Sequence, residues 1–353
     1  MTFPDFTITV AKILLVMGVL LTMVPLLVWA ERRGSAFMQD RLGPNRVGPF
    51  GLFQPIADAL KFIFKEDPIP IQAHQKLFVL APLFSFLPAA IVFAAIPFGD
   101  TIDLYGKTIV LQIADMNIGI LYVLAIASLG VYGILIAGWS SNNKYSTMGA
   151  LRSSAQMISY EIAAGAALIG PLLVYGTFSL REMVLLQPTF WSWGIVFQPV
   201  AFLIFLISSI AECNRLPFDL PEGESELVAG YHTEYGSMKF AIFFMAEYLH
   251  MVTISALIVT LFLGGWQPFP GMLSLAEAVG LPVFPSSLEL SLLKVASFCI
   301  KTAGMILFVI WIRWTFPRFR YDQLMSFGWK ILVPLAFANI LITSTLIYLK
   351  ILP

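Results

Sequence analysis

The chain is short of the residues that bind nucleic acid, metals or redox groups. Charged side chains make up 12% of it, and 21 basic residues offset 21 acidic ones, so the formal net charge is zero. A neutral chain gives nucleic acid no electrostatic footprint. There are three histidines (His74, His232, His250) and two cysteines (Cys213, Cys299), with no CxxC and no metal-ligand spacing. This speaks against a haem, a histidine-rich metal centre and a structural disulfide. What the chain has instead is apolar bulk, with 58% hydrophobic residues.

Apolar runs of about 20 residues recur, each long enough to cross a hydrocarbon layer roughly 30 Å thick as a helix. They predict an all-α integral membrane protein with eight spans, near residues 8–30, 77–97, 118–138, 155–175, 195–212, 239–263, 291–312 and 331–349. The chain reads as a single polytopic membrane domain over residues 1–353. Nothing alternates in the ten-residue manner of a membrane barrel. The first run follows one lysine and lacks a small-residue cleavage site, so it is expected to stay as a helix. Pro25, Pro88 and Pro171 fall inside spans, where neighbouring helices satisfy the carbonyls they free.

Basic residues give the orientation. The loops near 31–76, 139–154, 213–238 and 313–330 and their margins hold fifteen lysines and arginines, whereas the opposite loops hold Lys107, Arg181 and Lys294. The positive-inside rule puts the first set on the cytoplasmic side and both termini outside. Within the first inner loop, Gly51–Lys65 places Leu52, Ile56, Leu60, Ile63 and Phe64 on one face, the pattern of an amphipathic helix lying in the interface. No inverted repeat of the transporter kind is visible.

Among the charges inside spans are Glu161, Glu247 and Lys301. Each costs on the order of 3 kcal/mol at the bilayer centre, so each needs a partner, water or a purpose. A structural ion pair between Lys301 and one glutamate is one expectation, but the acids outnumber the base. Glu247 and His250 have the Glu-x-x-His spacing of di-iron bundles, which need two such pairs. This chain has one, so no metal is expected.

AECNRLPFDLPEGESELVAGYHTEY, Ala211 to Tyr235, carries six carboxylates (Glu212, Asp219, Glu222, Glu224, Glu226, Glu234) against Arg215 alone. If the segment is extended, Glu222, Glu224 and Glu226 share one side about 7 Å apart. Charges at that separation repel by roughly 2 kcal/mol, which favours easy proton exchange near neutrality. A solvated acidic loop is the plainer alternative. The interleaved Pro217, Phe218, Leu220, Leu227 and Val228 suggest packing instead. In the first loop, Arg32, Arg33 and Arg41 beside Gln39 could hold a polar head group or a partner, or act only as topological anchors.

These blocks carry a resemblance. ERRGSAFMQDRLGPNRVGPFGLFQPIADALKFIFKE, GALRSSAQMISYE, the acidic segment followed by FFMAEY, and WIRWTFPRFRYDQLM are together similar to the H-subunit family of bacterial NADH:quinone oxidoreductase, equivalent to mitochondrial complex I subunit 1. The resemblance covers nearly the whole chain. It implies a membrane subunit of a proton-translocating enzyme, with quinone as substrate and no flavin, iron–sulfur cluster or metal of its own. It also implies partners: the hydrophilic subunit with the terminal iron–sulfur cluster, the quinone-site hydrophilic subunit, small membrane subunits and lipid.

By the same resemblance, Arg32, Gln39, Arg41, Asp58, Ala59, Arg215 and Phe244 fall by the quinone path. Glu212, Glu222, Glu224 and Glu226 line the chamber. Glu161 and Glu247 continue a proton route into the membrane. Arg313, Arg318 and Arg320 match a basic cluster whose docking and chemical roles stay open, and Cys213 has no assigned role. The expected location is a bacterial inner membrane, ahead of a mitochondrial one. Three alternatives remain: a cation-coupled secondary transporter, a passive anchor, and the equivalent subunit of a membrane-bound hydrogenase or formate hydrogenlyase.

Overall fold

A computed structural model describes residues 3–104, 107–219, 227–270 and 287–352. Helix α1, Phe3–Met38, is 36 residues long, about 54 Å at the α-helical rise. It is therefore longer than a membrane crossing needs and carries Glu31, Arg32 and Arg33 toward its C-terminal end. Helix α2, Gln54–Phe64, follows a short turn at Pro49–Gly51. It packs on α1 and on α9, Ser237–Phe262. Ile56, Leu60, Ile63 and Phe64 point away from the protein and are exposed, as an interfacial helix requires.

Helices α3 (Gln75–Val92) and α4 (Gly119–Ser140) pack closely together. A Cβ on Gly133 would come within 2.6 Å of the Ser85 backbone nitrogen, so that position needs glycine. Between them, at the end away from the first loop, lies an antiparallel hairpin of Thr101–Leu104 and Lys107–Val110, too short to register in the sequence pattern. Helix α5, Lys144–Tyr175, starts at Asn143, whose side chain accepts a hydrogen bond from the Tyr145 amide. It ends at Gly176 in the left-handed conformation. Its buried face is rich in small residues, including Ala163, Ala164, Ala167 and Gly170, which lets neighbouring helices approach.

Among the described residues, seven helices are long and apolar enough to span a membrane. The segment expected at 195–212 is different. After the short α6 (Leu180–Leu185), it is divided at Gln198 into α7, Gly194–Phe197, and α8, Pro199–Glu212. Pro199 lacks an N–H and disfavours helical geometry at the residue before it. The 14 residues of α8 cover only about 21 Å. Gln198 meets polar partners at this break: its amide donates to Thr343 at 2.9 Å and accepts from Asn339 at 2.9 Å.

Helix α9 is the centre of the bundle. Every residue from Met251 to Phe262 is buried, and the helix touches α1, α2, α3, α6, α8 and α10, Ser287–Thr315. The last span, Tyr321–Tyr348, consists of α11 (Tyr321–Phe327), a π-helical turn at Gly328–Leu332 and α12 (Val333–Tyr348).

Candidate functional site

An apolar groove of about 180 Å³ opens between α1, α2 and α9. Leu21, Val24, Pro25 and Val28 line it from α1, Ala59 and Phe62 from α2, and Phe244 and Met245 from α9. Its polar edge is one ion pair, Arg32 Nη1 to Asp58 Oδ2 at 2.5 Å, with Gln54 donating to Asp58 Oδ1 at 3.2 Å. Burial pushes the Asp58 carboxyl up. The hydrogen bonds from Arg32 and Gln54 and the charges of Arg32 and Lys61 outweigh that and hold it below its ordinary value. The groove thus offers a long apolar slot closed by an amide, a carboxylate and a guanidinium.

Behind it, Glu31 is the hub of a buried network. Its side chain is 6% exposed. The Tyr248 hydroxyl donates to Oε2 at 2.6 Å, Arg215 Nη1 stands 3.3 Å from the same oxygen, and Arg313 binds Oε1. Arg215 lies over the Tyr248 ring at 4.2 Å and the Phe244 ring at 5.8 Å. Its other nitrogen, Nη2, is 3.6 Å from Glu247 Oε2. Burial opposes the Arg215 charge, but Tyr248, Glu247 and Glu31 offset it and raise its pKa above the usual value. Two arginines face two glutamates, so the cluster is close to neutral and tolerates burial.

Glu247 joins this hub to a second space. The Tyr231 hydroxyl donates to Glu247 Oε1 at 3.4 Å. Beside Glu247 lies a cavity of about 40 Å³, also lined by Glu212, His250 and Met157. That volume has room for at least one water, since a water needs only about 10–15 Å³ by this measure. His250 Nε2 is 3.5 Å from Glu212 Oε1. Glu161 on α5 feels the charges of both Glu212 and His250. From the groove inward the order is Asp58–Arg32, Glu31–Arg215, Glu247, Glu212–His250, Glu161.

The structure therefore gathers most of the residues singled out in the sequence. Arg32, Asp58, Ala59 and Phe244 line one groove, and Arg215, Glu247, Glu212 and Glu161 form the inward series. Gln39 and Arg41 stand apart: Arg41 Nε donates to Gln39 Oε1 at 2.6 Å on the exposed first loop. Glu222, Glu224 and Glu226 lie outside the described residues. Arg313 turns out to serve Glu31, while Arg320 makes an exposed pair with Asp322 at 3.4 Å.

The ion pair expected of Lys301 is corrected. Its ammonium donates to the backbone carbonyls of Leu263, Gly265 and Gln267 at 2.7, 3.2 and 2.6 Å. These groups are the loose end of α9, and they satisfy the charge without a carboxylate. Of the three histidines, His74 stacks on Trp139, and burial pushes His232 down to about 3, so it stays neutral. His250 stands beside the acid Glu212.

Sequence reasoning missed Glu31, Tyr248 and the placement of Arg313. The signal for Glu31 was a lone acid heading the basic run ERR at the end of an apolar helix. Tyr248 had none beyond its place next to Glu247.

Two comparisons bear on this geometry. The model of the family described as NADH dehydrogenase matches residues 11–344. The chain is 51% identical to the second of the numbered H subunits of NADH-quinone oxidoreductase from Koribacter versatilis, covering 97% of this chain and 98% of that one. It is 49% identical to the first of the numbered H subunits of the same enzyme from Cytophaga hutchinsonii, over 91% of each chain. With the first of those from Geobacter metallireducens the identity is 47% over 98% of each.

Proposed function

The chain belongs to the H-subunit family of NADH-quinone oxidoreductases, and from that premise we propose that it forms the membrane side of the quinone chamber and couples quinone reduction to proton movement. It acts as a subunit of a proton-translocating enzyme, as one membrane unit over residues 1–353. Its partners are the other subunits: the hydrophilic one with the terminal iron–sulfur cluster, the quinone-site hydrophilic one, and small membrane subunits. Its place is the bacterial inner membrane, with both termini on the periplasmic side.

The quinone tail enters the groove between α1, α2 and α9, past Arg32 and Asp58, and the head group reaches the inner end near Arg215. Reducing a quinone to quinol consumes two electrons and two protons, so each turnover leaves a charge change beside the hub. In a low-dielectric interior such a change is weakly screened. Glu31 and Arg215 carry the disturbance to Glu247, and Glu212 and Glu161 pass it onward. The unbroken series of contacts from Arg313 through Glu31 and Arg215 to Glu247 supports this reading most strongly. Glu222, Glu224 and Glu226 belong to the same proposal as chamber-lining acids.

The test uses assembled complex in sealed vesicles, comparing wild type with Glu212→Gln and Glu161→Gln. Quinone-dependent NADH oxidation, proton uptake and assembly are followed together. Intact assembly with pumping reduced at least about tenfold, the lower end of proton-transfer effects, is the expected outcome. Normal turnover and pumping in both variants would reduce these acids to scaffold.

A further inference from the structure

Helix α2 is held from two sides, by different residues at different points along it. On the α1 side the Arg32–Asp58 ion pair stands at the groove's polar edge. Trp29 and Arg33 both donate to the Phe50 carbonyl at 3.0 Å, just ahead of the helix. On the α9 side two buried polar residues of the first turn, Ser237 and Lys239, reach across. The Ser237 hydroxyl lies 2.7 Å from the Phe62 carbonyl and 3.0 Å from the Lys65 carbonyl. Those carbonyls close α2, where the last turn has run out of intrahelical donors. The Lys239 ammonium pairs with Asp67 at 2.7 Å, shortly beyond the end of α2, and lies over the Phe78 ring at 5.4 Å.

The backbone of Ser237 points to a task for its hydroxyl. Its φ is +51°, in the left-handed region that glycine enters at no steric cost. Serine there is strained, but it brings a donor to the end of α2. This clasp borders the groove. Phe62 lines it from α2, and Met238, between Ser237 and Lys239, lines it from α9 with Ala241 and Phe244. The far face of α2, with Ile56, Leu60, Ile63 and Phe64, is exposed, so the helix depends on its contacts with α1 and α9.

We propose that Ser237, with Lys239, positions α2 against α9 and so sets how tightly the groove closes on an isoprenoid tail. Neither residue lines the groove; both act through Phe62 and the end of α2. With the walls held close, water is kept off the tail and each buried methylene adds to binding. Without the hydroxyl, α2 swings about its α1 attachment and the Phe62 side of the groove opens. The cost falls on tail binding, which ground and transition states share, and leaves the turnover of bound quinone alone.

This inference rests on the tail route proposed above. The test measures quinone-dependent NADH oxidation by assembled complex in liposomes, using one quinone in two forms. One form carries a single isoprenoid unit and the other the full polyisoprenoid tail. Wild type is compared with Ser237→Ala, Lys239→Met and Ala59→Phe, the last placing bulk in the groove. In Ser237→Ala, KM for the long-tailed quinone should rise at least about threefold, the affinity equivalent of one lost hydrogen bond. Both kcat and the short-tailed KM should stay at wild-type values, and Lys239→Met should act in the same direction. If Ala59→Phe raises the long-tailed KM while Ser237→Ala and Lys239→Met leave it unchanged, the clasp is overturned and the tail route stands. An equal rise for both quinones, a fall in kcat, or loss of assembly in both clasp variants would also overturn the proposal, since each marks a purely structural role. If Ala59→Phe leaves the long-tailed KM unchanged, the tail takes another route, and the reading beneath this inference fails with it.

Discussion

The molecule buries two kinds of cation against α9, one along its first half and one past its last turn, and handles them in opposite ways. Arg215, beside Phe244 and Tyr248, is 3% exposed and stands between two carboxylates, Glu31 and Glu247. Lys301, past the last turn of α9, is also 3% exposed, but it donates to three backbone carbonyls and lies over the rings of Trp193 and Phe269 at 4.2 and 5.1 Å. Carbonyl dipoles and ring quadrupoles are fixed partners that do not titrate. Carboxylates can gain or lose a proton, so a cation between them responds to its surroundings. On the function proposed above, the Arg215 cluster is the part that changes state and the Lys301 site the part that stays put.

The knot around Lys301 is dense with such fixed contacts. Gln187 accepts hydrogen bonds from the amides of Gly194 and Gly264 at 3.1 and 3.2 Å. Gly264 adopts φ +71°, and a Cβ there would meet Trp193 at 2.4 Å. This rigidity gives α9 a firm anchor, against which Glu247 and His250 keep their positions.

Three substitutions probe the contrast. Arg215→Met should have the largest effect, because it takes from Glu247 the cation beside it and leaves Glu31 with Arg313 and Tyr248, and breaking a buried ion pair costs about 3–5 kcal/mol. Complex yield on native gels should collapse, or quinone reduction per complex should fall at least about 100-fold, roughly the rate equivalent of such a loss. Lys301→Met should cost about 1–3 kcal/mol for the carbonyls left unpaired, seen as a lower melting temperature with turnover per assembled complex unchanged. If Lys301→Met uncoupled pumping while leaving stability intact, the division between a responsive cluster and a fixed site would be wrong.

Asp58→Asn should have the smallest effect. Loss of one charge at the groove's edge removes binding that ground and transition states share, so KM for quinone should rise about threefold with kcat unchanged. The folded pKa of Asp58 lies below its ordinary 3.8. Its contribution is therefore present above pH 3.8 and is lost only as pH falls through the lower folded value. Across neutral pH the rise in KM should not vary, and KM profiles of wild type and variant should run parallel.

The sequence carried the membrane architecture well. Apolar runs marked seven full spans, the period of Ile56, Leu60 and Ile63 marked the interfacial helix, and Glu161 and Glu247 stood out as charges in apolar segments. It could not carry the break at Gln198, because an X–Pro step inside a membrane span is often tolerated and only the polar contacts to Asn339 and Thr343 reveal what happens there. Glu31 looked like a charge at a helix end; its burial is created by Tyr248, Arg215 and Arg313, which come from segments 184 to 282 residues away. The Lys301 expectation missed for a related reason. Composition counts carboxylates as partners but does not count backbone carbonyls left free where a helix ends.

Glu247 is where the responsive hub meets the cavity, so it tests the coupling most directly. In sealed vesicles holding assembled Glu247→Gln complex, protons translocated per electron pair are measured alongside quinone-dependent NADH oxidation. The coupling proposed here predicts that assembly persists while translocation falls at least about tenfold. A Glu247→Gln complex that oxidises NADH and pumps with wild-type rate and stoichiometry would contradict it.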